Sequence, residues 1–262
     1  MALLLKGKSL FLRRLIKALL YTPMALFDTL RIPFRAAQPR IEFTVEADPP
    51  SVYYNFRVKT DRLEDFKRYL GLPDNLPLSP MRCVEDEEAD FLLTLNVYRV
   101  SGVTNGVRAE FSTYITDESG IPRYMVVEAR DHEGSMDPIN ILTRPSLVQQ
   151  NRDSDAMVTV VASNNKNLFK ACAKQAAFDT APYIRIHGEW MEANDFIYWR
   201  NGVRDRCFYD AGMANPRVRS LNPKSVEITD DTHWAEYLEP LPKHVFVYES
   251  TMHFVIVPWE NL

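Results

Sequence analysis

The stretch GVRAEFSTYITDESGIPRYMVVEARDHEGSMDP, residues 106–138, carries most of what this sequence says about its fold. Between Gly106 and Ile115 the side chains alternate, with Arg108, Glu110, Ser112 and Tyr114 on one face and Ala109, Phe111, Thr113 and Ile115 on the other. That period of two is the signature of a β-strand. DESG (117–120) then supplies turn residues, and IPRYMVVEA (121–129) predicts a returning strand, so the two form a hairpin. The next segment, RDHEGSMDP (130–138), reads as a loop dense in charge and without a lysine.

Working outward, extended segments recur with turn signals between them. IEFTVEA (41–47) and VYYNFRV (52–58) alternate apolar and polar residues, and ADFLLTLNVYRV (89–100) predicts a long strand. Between them, Thr60 and Asp61 are expected to cap a short helix, DRLEDFKRYL, with Leu63, Phe66 and Leu70 facing one way. AMVTVVAS (156–163) predicts a strand and NKNLFKACAKQAAF (165–178) a helix. NDFIYWRNGVRDRCFYD (194–210) predicts two strands around Asn201-Gly202, a strong hairpin signal. SVEIT (225–229), a short helix in DDTHWAEYL, and the strands in KHVFVYES and TMHFVIVP complete the chain. The class is mainly β with peripheral helices (α+β), in a closed or sandwich-like architecture.

The 262 residues are 46% hydrophobic and 25% charged, enough apolar material for a sizeable core. Net charge is −4 but unevenly spread. Residues 1–40 hold eight Lys and Arg against Asp28 alone, a surplus of seven, so the other 222 residues carry −11. An acidic body disfavours nucleic acid as a partner. GxGxxG, GxxxxGK[ST] and GxSxG motifs are absent, which argues against nucleotide cofactors and α/β-hydrolase chemistry. Cys83, Cys172 and Cys207 lie far apart and predict reduced thiols in a cytoplasmic setting.

The division expected is a basic amphipathic N-terminal segment, 1–40, and one β domain, 41–262. Leu12, Leu15, Ile16, Leu19 and Leu20 share a helical face after Ser9, and Pro23 interrupts the pattern. Three readings stand for it: a helix packed on the domain or a dimer partner, a helix lying on a membrane surface through residues 9–31, and a targeting presequence. The run is too short and too charged to span a bilayer.

The middle of the chain resembles the acetoacetate decarboxylase superfamily. The resemblance rests on KTDRLEDFKRYLGLPDNLPL, where a helix leads to a proline-led exit, then on a strand ending VYRVSG, on VRAEFSTYI, and on TDESGIPRYMVVEA. It implies an antiparallel, cone-shaped β-barrel with peripheral helices, a homo-oligomer, and an enclosed site for a small apolar molecule. In the family's decarboxylases a Schiff-base lysine and a second lysine lie after the strand equivalent to YMVVEA; here that loop has none. Leu93 stands near the place of a family carboxylate, and DPPSVYYNF offers no counterpart to the family's early arginine. The resemblance therefore implies the fold without Schiff-base decarboxylation.

Acid–base chemistry is the expectation that remains. His132 is the candidate acid or base, oriented by Asp131 or Glu133, with Glu110 as a further carboxylate. Arg108 and Glu110 form a buried pair if their strand face points inward, and an exposed pair of little energetic weight if it points out. Arg57 and Lys59 share a face of their strand and offer an anion-binding alternative, and Tyr114, Tyr198 and Trp199 are candidates to line the site. His187 and Glu189 lack a third ligand, so neither metal nor cofactor is expected. The function expected is an enzyme of small-molecule, including secondary, metabolism, of lyase, dehydratase or isomerase type, acting on an apolar carbonyl compound. The alternative is a non-catalytic carrier of a lipid-like or aromatic ligand, peripheral on a membrane. Lys59, Lys166 and Lys170 are the candidates for a relocated Schiff base.

Overall fold

The computed structural model describes residues 43–72, 76–82, 88–101, 106–116, 120, 122–131, 143–184, 195–198, 207–210 and 217–258. The leader (1–40), His132, Glu133, Trp199, His187, Glu189 and the Asn201-Gly202 turn lie outside them. The elements begin with β1 (Phe43–Arg57), α1 (Leu63–Leu70), β2 (Leu92–Ser101), β3 (Gly106–Thr116), β4 (Pro122–Asp131) and β5 (Thr143–Pro145). Next come β6 (Leu147–Arg152), β7 (Ala156–Ser163), β8 (Lys166–Lys174), α2 (Gln175–Thr180) and β9 (Tyr183–Ile184). The rest are β10 (Asp195–Tyr198), β11 (Cys207–Asp210), β12 (Val218–Leu221), β13 (Val226–Asp230), β14 (His244–Tyr248) and β15 (Met252–Pro258). The protein is mainly antiparallel β with few, short helices.

The large sheet runs β15-β11-β10-β4-β3-β2-β1-β14-β12-β9, with β5 added on β4. The β10–β4 and β4–β5 pairings are parallel and the others antiparallel. β1 organises this sheet. Its first half (Phe43–Ala47) pairs with β15 and its second half (Ser51–Asn55) with β14, along the same edge. Pro49 and Pro50 stand at the change of partner, where the β1–β2 register also shifts between Asp48 and Val52. Prolines have no N–H to continue a ladder, so the strand bends there. Because β15 pairs with β11 as well as β1, the pairings return to their starting strand.

A second sheet, β13-β8-β7-β6, covers one face of the first. Val52, Tyr54 and Phe56 of β1, Leu93, Leu95 and Val97 of β2, and Ala109 and Phe111 of β3 belong to one apolar cluster with Val161, Phe169 and Ala171 of the second sheet. Tyr54 packs on Phe169 at 5.3 Å between ring centroids and donates its hydroxyl to Thr159 Oγ1 at 3.0 Å. Gln150 Nε2 donates to the Val97 carbonyl at 3.3 Å. α1 buries Phe66 and Leu70, as its periodicity requires, and Phe66 meets Trp234 and Tyr237. The helix stops at Gly71, whose left-handed φ of 61° lets its N–H reach back to the Lys67 and Arg68 carbonyls.

Three local expectations are corrected. Thr60 and Asp61 do not cap α1: they form a 3-10 turn, and the helix starts after Arg62 with no side-chain cap. Residues 166–174 are a strand, and only Gln175–Thr180 is helical. Asn164 and Asn165 both take positive φ (51° and 61°), so a tight hairpin joins β7 to β8 and Phe169, Ala171 and Ala173 face the core at period two. Helix-favouring Ala and Lys yield to that tertiary packing. Finally, Arg130 and Asp131 continue β4, paired with Ala109 and Arg108, and do not open the loop.

Candidate active site

The face of the large sheet turned away from the second sheet is also buried, but it is polar. On β3 the alternation read from the sequence holds, and Arg108, Glu110, Ser112 and Tyr114 share this face. The registers place Tyr98, Asn96 and Thr94 of β2 opposite Arg108, Glu110 and Ser112. Across the other edge, Asp131 stands opposite Arg108 and Tyr124 opposite Tyr114. β1 contributes Ser51, Tyr53 and Asn55, and β14 contributes Tyr248, Phe246 and His244. Relative exposure is only 2% for Arg108, 3% for Glu110 and 8% for Asp131, so the inward reading of this strand face is the correct one.

A hydrogen-bonded chain crosses the face. Tyr124 donates its hydroxyl to Asn96 Oδ1 at 3.1 Å, and Asn96 Nδ2 lies 3.5 Å from Glu110 Oε2. Arg108 Nε donates to Glu110 Oε1 at 2.6 Å and Arg108 Nη1 to Asp131 Oδ2 at 3.3 Å. One guanidinium is thus held by two carboxylates, fixed along its own strand by Glu110 and from the next by Asp131. Glu110 Oε1 is committed to this pairing, while Oε2 has, among the described residues, only the long contact to Asn96 and so keeps an open acceptor position.

Phenols share this face with Glu110. The Tyr53 and Tyr248 rings are 4.7 Å apart and those of Tyr114 and Tyr124 are 5.4 Å apart. Burial pushes the Tyr53 phenol well above the usual tyrosine range, and Tyr248 and the Glu110 carboxylate push it further. Tyr124 is raised in the same way, by burial first and then by Tyr53, Tyr114 and Glu110. Both are therefore neutral hydrogen-bond donors at any physiological pH. Thr94 donates to Asn55 Oδ1 at 2.8 Å, but Asn55 Nδ2 and Ser51 Oγ are buried on this face with no partner among the described residues. An orphaned buried donor is costly, which marks a place where a ligand or water completes the bonding.

Of the residues expected at a site, the structure brings Arg108, Glu110, Asp131 and Tyr114 together. Arg57, at the exposed end of β1, is paired with Asp90 at 2.9 Å, and Lys59 donates to the carbonyls of Ala235 and Glu236. Tyr198 pairs through its backbone with Val126. Lys166 and Lys170 are exposed on the second sheet, and Leu93 points into the apolar core. Among the described residues, no lysine is buried on the polar face. Sequence reading missed Asn96, Tyr53, Asn55 and Tyr124. Thr94, Asn96 and Tyr98 do alternate with Leu93, Leu95 and Val97, but that pattern equally fits a solvated face.

No family model matches the chain, and no curated protein sequence does. Solved structures do. Acetoacetate decarboxylase from Legionella pneumophila superposes with a TM-score of 0.57 at 7% identity, over 90% of this chain and 94% of that one. A second acetoacetate decarboxylase gives 0.52 at 11% identity, over 84% and 88%. The enduracididine biosynthesis enzyme MppR, complexed with pyruvate, gives 0.52 at 8% identity, over 85% and 90%. The chain shares the fold of the acetoacetate decarboxylase superfamily across nearly its whole length, with almost none of the sequence.

Proposed function

We propose that this protein is an enzyme that moves a proton at the carbon next to a carbonyl group, in an acetoacetate decarboxylase-like barrel that works without a Schiff base. The observation that carries this is the buried chain Tyr124–Asn96–Glu110–Arg108–Asp131. The circuit of strand pairings supports closure of the large sheet around its polar face. Pyruvate in MppR is a small carbonyl compound bound by a protein of this fold, which supports the substrate class.

Each group has a task. Glu110 Oε2 takes the proton from the carbon. Arg108 and Asp131 do not touch the substrate; they hold Glu110 in one rotamer and keep its other oxygen occupied. Negative charge then develops on the carbonyl oxygen, and the Tyr53 hydroxyl donates a hydrogen bond to it without losing its own proton. Asn96 ties the base to Tyr124, since it accepts from Tyr124 with its oxygen and approaches Glu110 with its nitrogen. Returning the proton to the same carbon gives exchange and to another carbon of the enolate system isomerisation; where the β-carbon bears a leaving group, its bond breaks as the double bond forms, the proton goes to the departing group, and the result is elimination. Against the carrier alternative stands the lining itself, since a lipid-like ligand gains nothing from burying two carboxylates, a guanidinium and several phenols.

The test is deuterium incorporation into butanone in heavy water, followed by proton NMR, with borohydride added in parallel. Wild-type protein is expected to catalyse exchange with no borohydride-trapped adduct on any lysine. Tyr53→Phe should slow the exchange by about a hundredfold, the usual cost of one oxyanion donor. A trapped lysine adduct would overturn the proposal.

A further inference from the structure

We infer that Asn55 is a specificity-determining residue: its side-chain amide donates a hydrogen bond to a second oxygen of the substrate, a carbonyl or hydroxyl several bonds from the reacting carbonyl. The inference rests on the proposed function of the same face, and narrows it to a substrate class.

The amide is oriented by its neighbour in the sheet. Asn55 of β1 stands opposite Thr94 of β2, and both are 0% exposed. Thr94 Oγ1 donates to Asn55 Oδ1 at 2.8 Å. That bond decides which way the amide faces, because a hydroxyl hydrogen needs an acceptor and only the oxygen of the amide is one. Nδ2 is left to bond elsewhere, and it has no hydrogen-bond partner among the described residues. An amide N–H can only donate, so a buried one is completed by an oxygen brought to it. The strand that carries it is held on both sides, by the ladder to β2 and by the Lys243 N–H on the Asn55 carbonyl at 2.8 Å. A donor held in this way is set before the ligand arrives.

The position on β1 gives the ligand its length. Tyr53, two residues before Asn55 on the same face, is the donor to the reacting carbonyl. Residues two apart on a strand stand roughly 7 Å apart, so a molecule that reaches both donors carries its two oxygens several bonds apart and not on adjacent carbons. Ser51, on the other side of Tyr53, is also 0% exposed, and its Oγ has no partner among the described residues. Its hydroxyl turns to suit either a donor or an acceptor and so selects little, whereas the amide of Asn55, fixed by Thr94, demands an acceptor.

Hexane-2,5-dione and hexan-2-one differ only in the second carbonyl. Saturation-transfer NMR reads binding to the full-length protein, and deuterium exchange reads turnover, each rate divided by that in buffer alone. The dione is expected to exceed hexan-2-one by at least about tenfold in both, because a buried donor left unpaired rejects the analogue that lacks its acceptor. Asn55→Leu combined with Thr94→Val replaces both partners by apolar groups of similar shape, so the double variant should unfold in urea no earlier than the wild type and treat the two ketones nearly equally. Thr94→Ser keeps the orienting hydroxyl and should keep the preference. Exchange on both ketones at equal efficiency by the wild type would overturn this inference and leave the proton-transfer reading standing. Preferential binding of the dione, lost in the double variant, with no exchange on either ketone would support the inference and overturn proton transfer. Binding of neither ketone, a preference that survives in the double variant, or earlier unfolding of that variant, which would make the pair a structural one, would overturn the inference.

Discussion

Replacing Arg108 by methionine keeps roughly the volume of the side chain and removes its charge. In the structure this strands Glu110 and Asp131, at 3% and 8% exposure, without the guanidinium that both contact. Breaking a buried ion pair by deleting one partner costs about 3–5 kcal/mol, because the remaining charge has lost its compensation. With a urea slope of about 3–4 kcal/mol/M for a chain of this length, the unfolding midpoint should fall by about 1 M. Tryptophan fluorescence reports it directly, since Trp234 is buried against Phe66 and Phe111. The triple variant Arg108→Met, Glu110→Gln, Asp131→Asn should recover most of the loss, since it leaves no charge behind. A cost below about 1 kcal/mol for Arg108→Met would refute the reasoning, for that is the scale of a solvent-exposed pair.

Single elements carry further expectations. In an alkaline titration followed by phenolate absorbance, Tyr53 and Tyr124 should ionise later than exposed tyrosines, because burial raises both phenols. Their folded values are raised above the unfolded value of about 10, so this contribution to stability is whole below that pH and is lost as the pH climbs further. Asn165→Ala should destabilise by about 1–2 kcal/mol, because its φ of 61° is costly for an alanine, while Asn165→Gly should be nearly neutral; thermal midpoints distinguish them. Tyr54→Phe should cost about 1 kcal/mol in urea titration through loss of the hydrogen bond to Thr159 between the sheets.

Local periodicity revealed the β3–β4 hairpin and the amphipathic face of α1, because in both the apolar residues recur at the spacing of the element itself. It failed at 166–174, where Ala and Lys suit a helix and only the positive-φ pair Asn164-Asn165 announces a hairpin. The site shows the same division. Arg108 and Glu110 could be placed on one face from β3 alone. Whether that face was inside depended on β1 bending at Pro49-Pro50 and pairing with both β14 and β15, which no strand declares by itself. Asn96 and Tyr53 join Glu110 through cross-strand register, a long-range property. Asp131 was visible as a carboxylate but assigned to a loop, since the length of β4 is set by pairing with β3 and not by its own residues. The segment RDHEGSMDP (130–138) holds no lysine, and among the described residues the buried polar face offers carboxylates and phenols.

The most direct measurement is deuterium exchange into butanone by the wild-type protein and by Glu110→Gln, compared side by side in one buffer. Proton abstraction by Glu110 predicts exchange above the buffer rate for the wild type and a fall of about a hundredfold or more for the variant, the scale of a lost general base. Equal rates for the two proteins would contradict it.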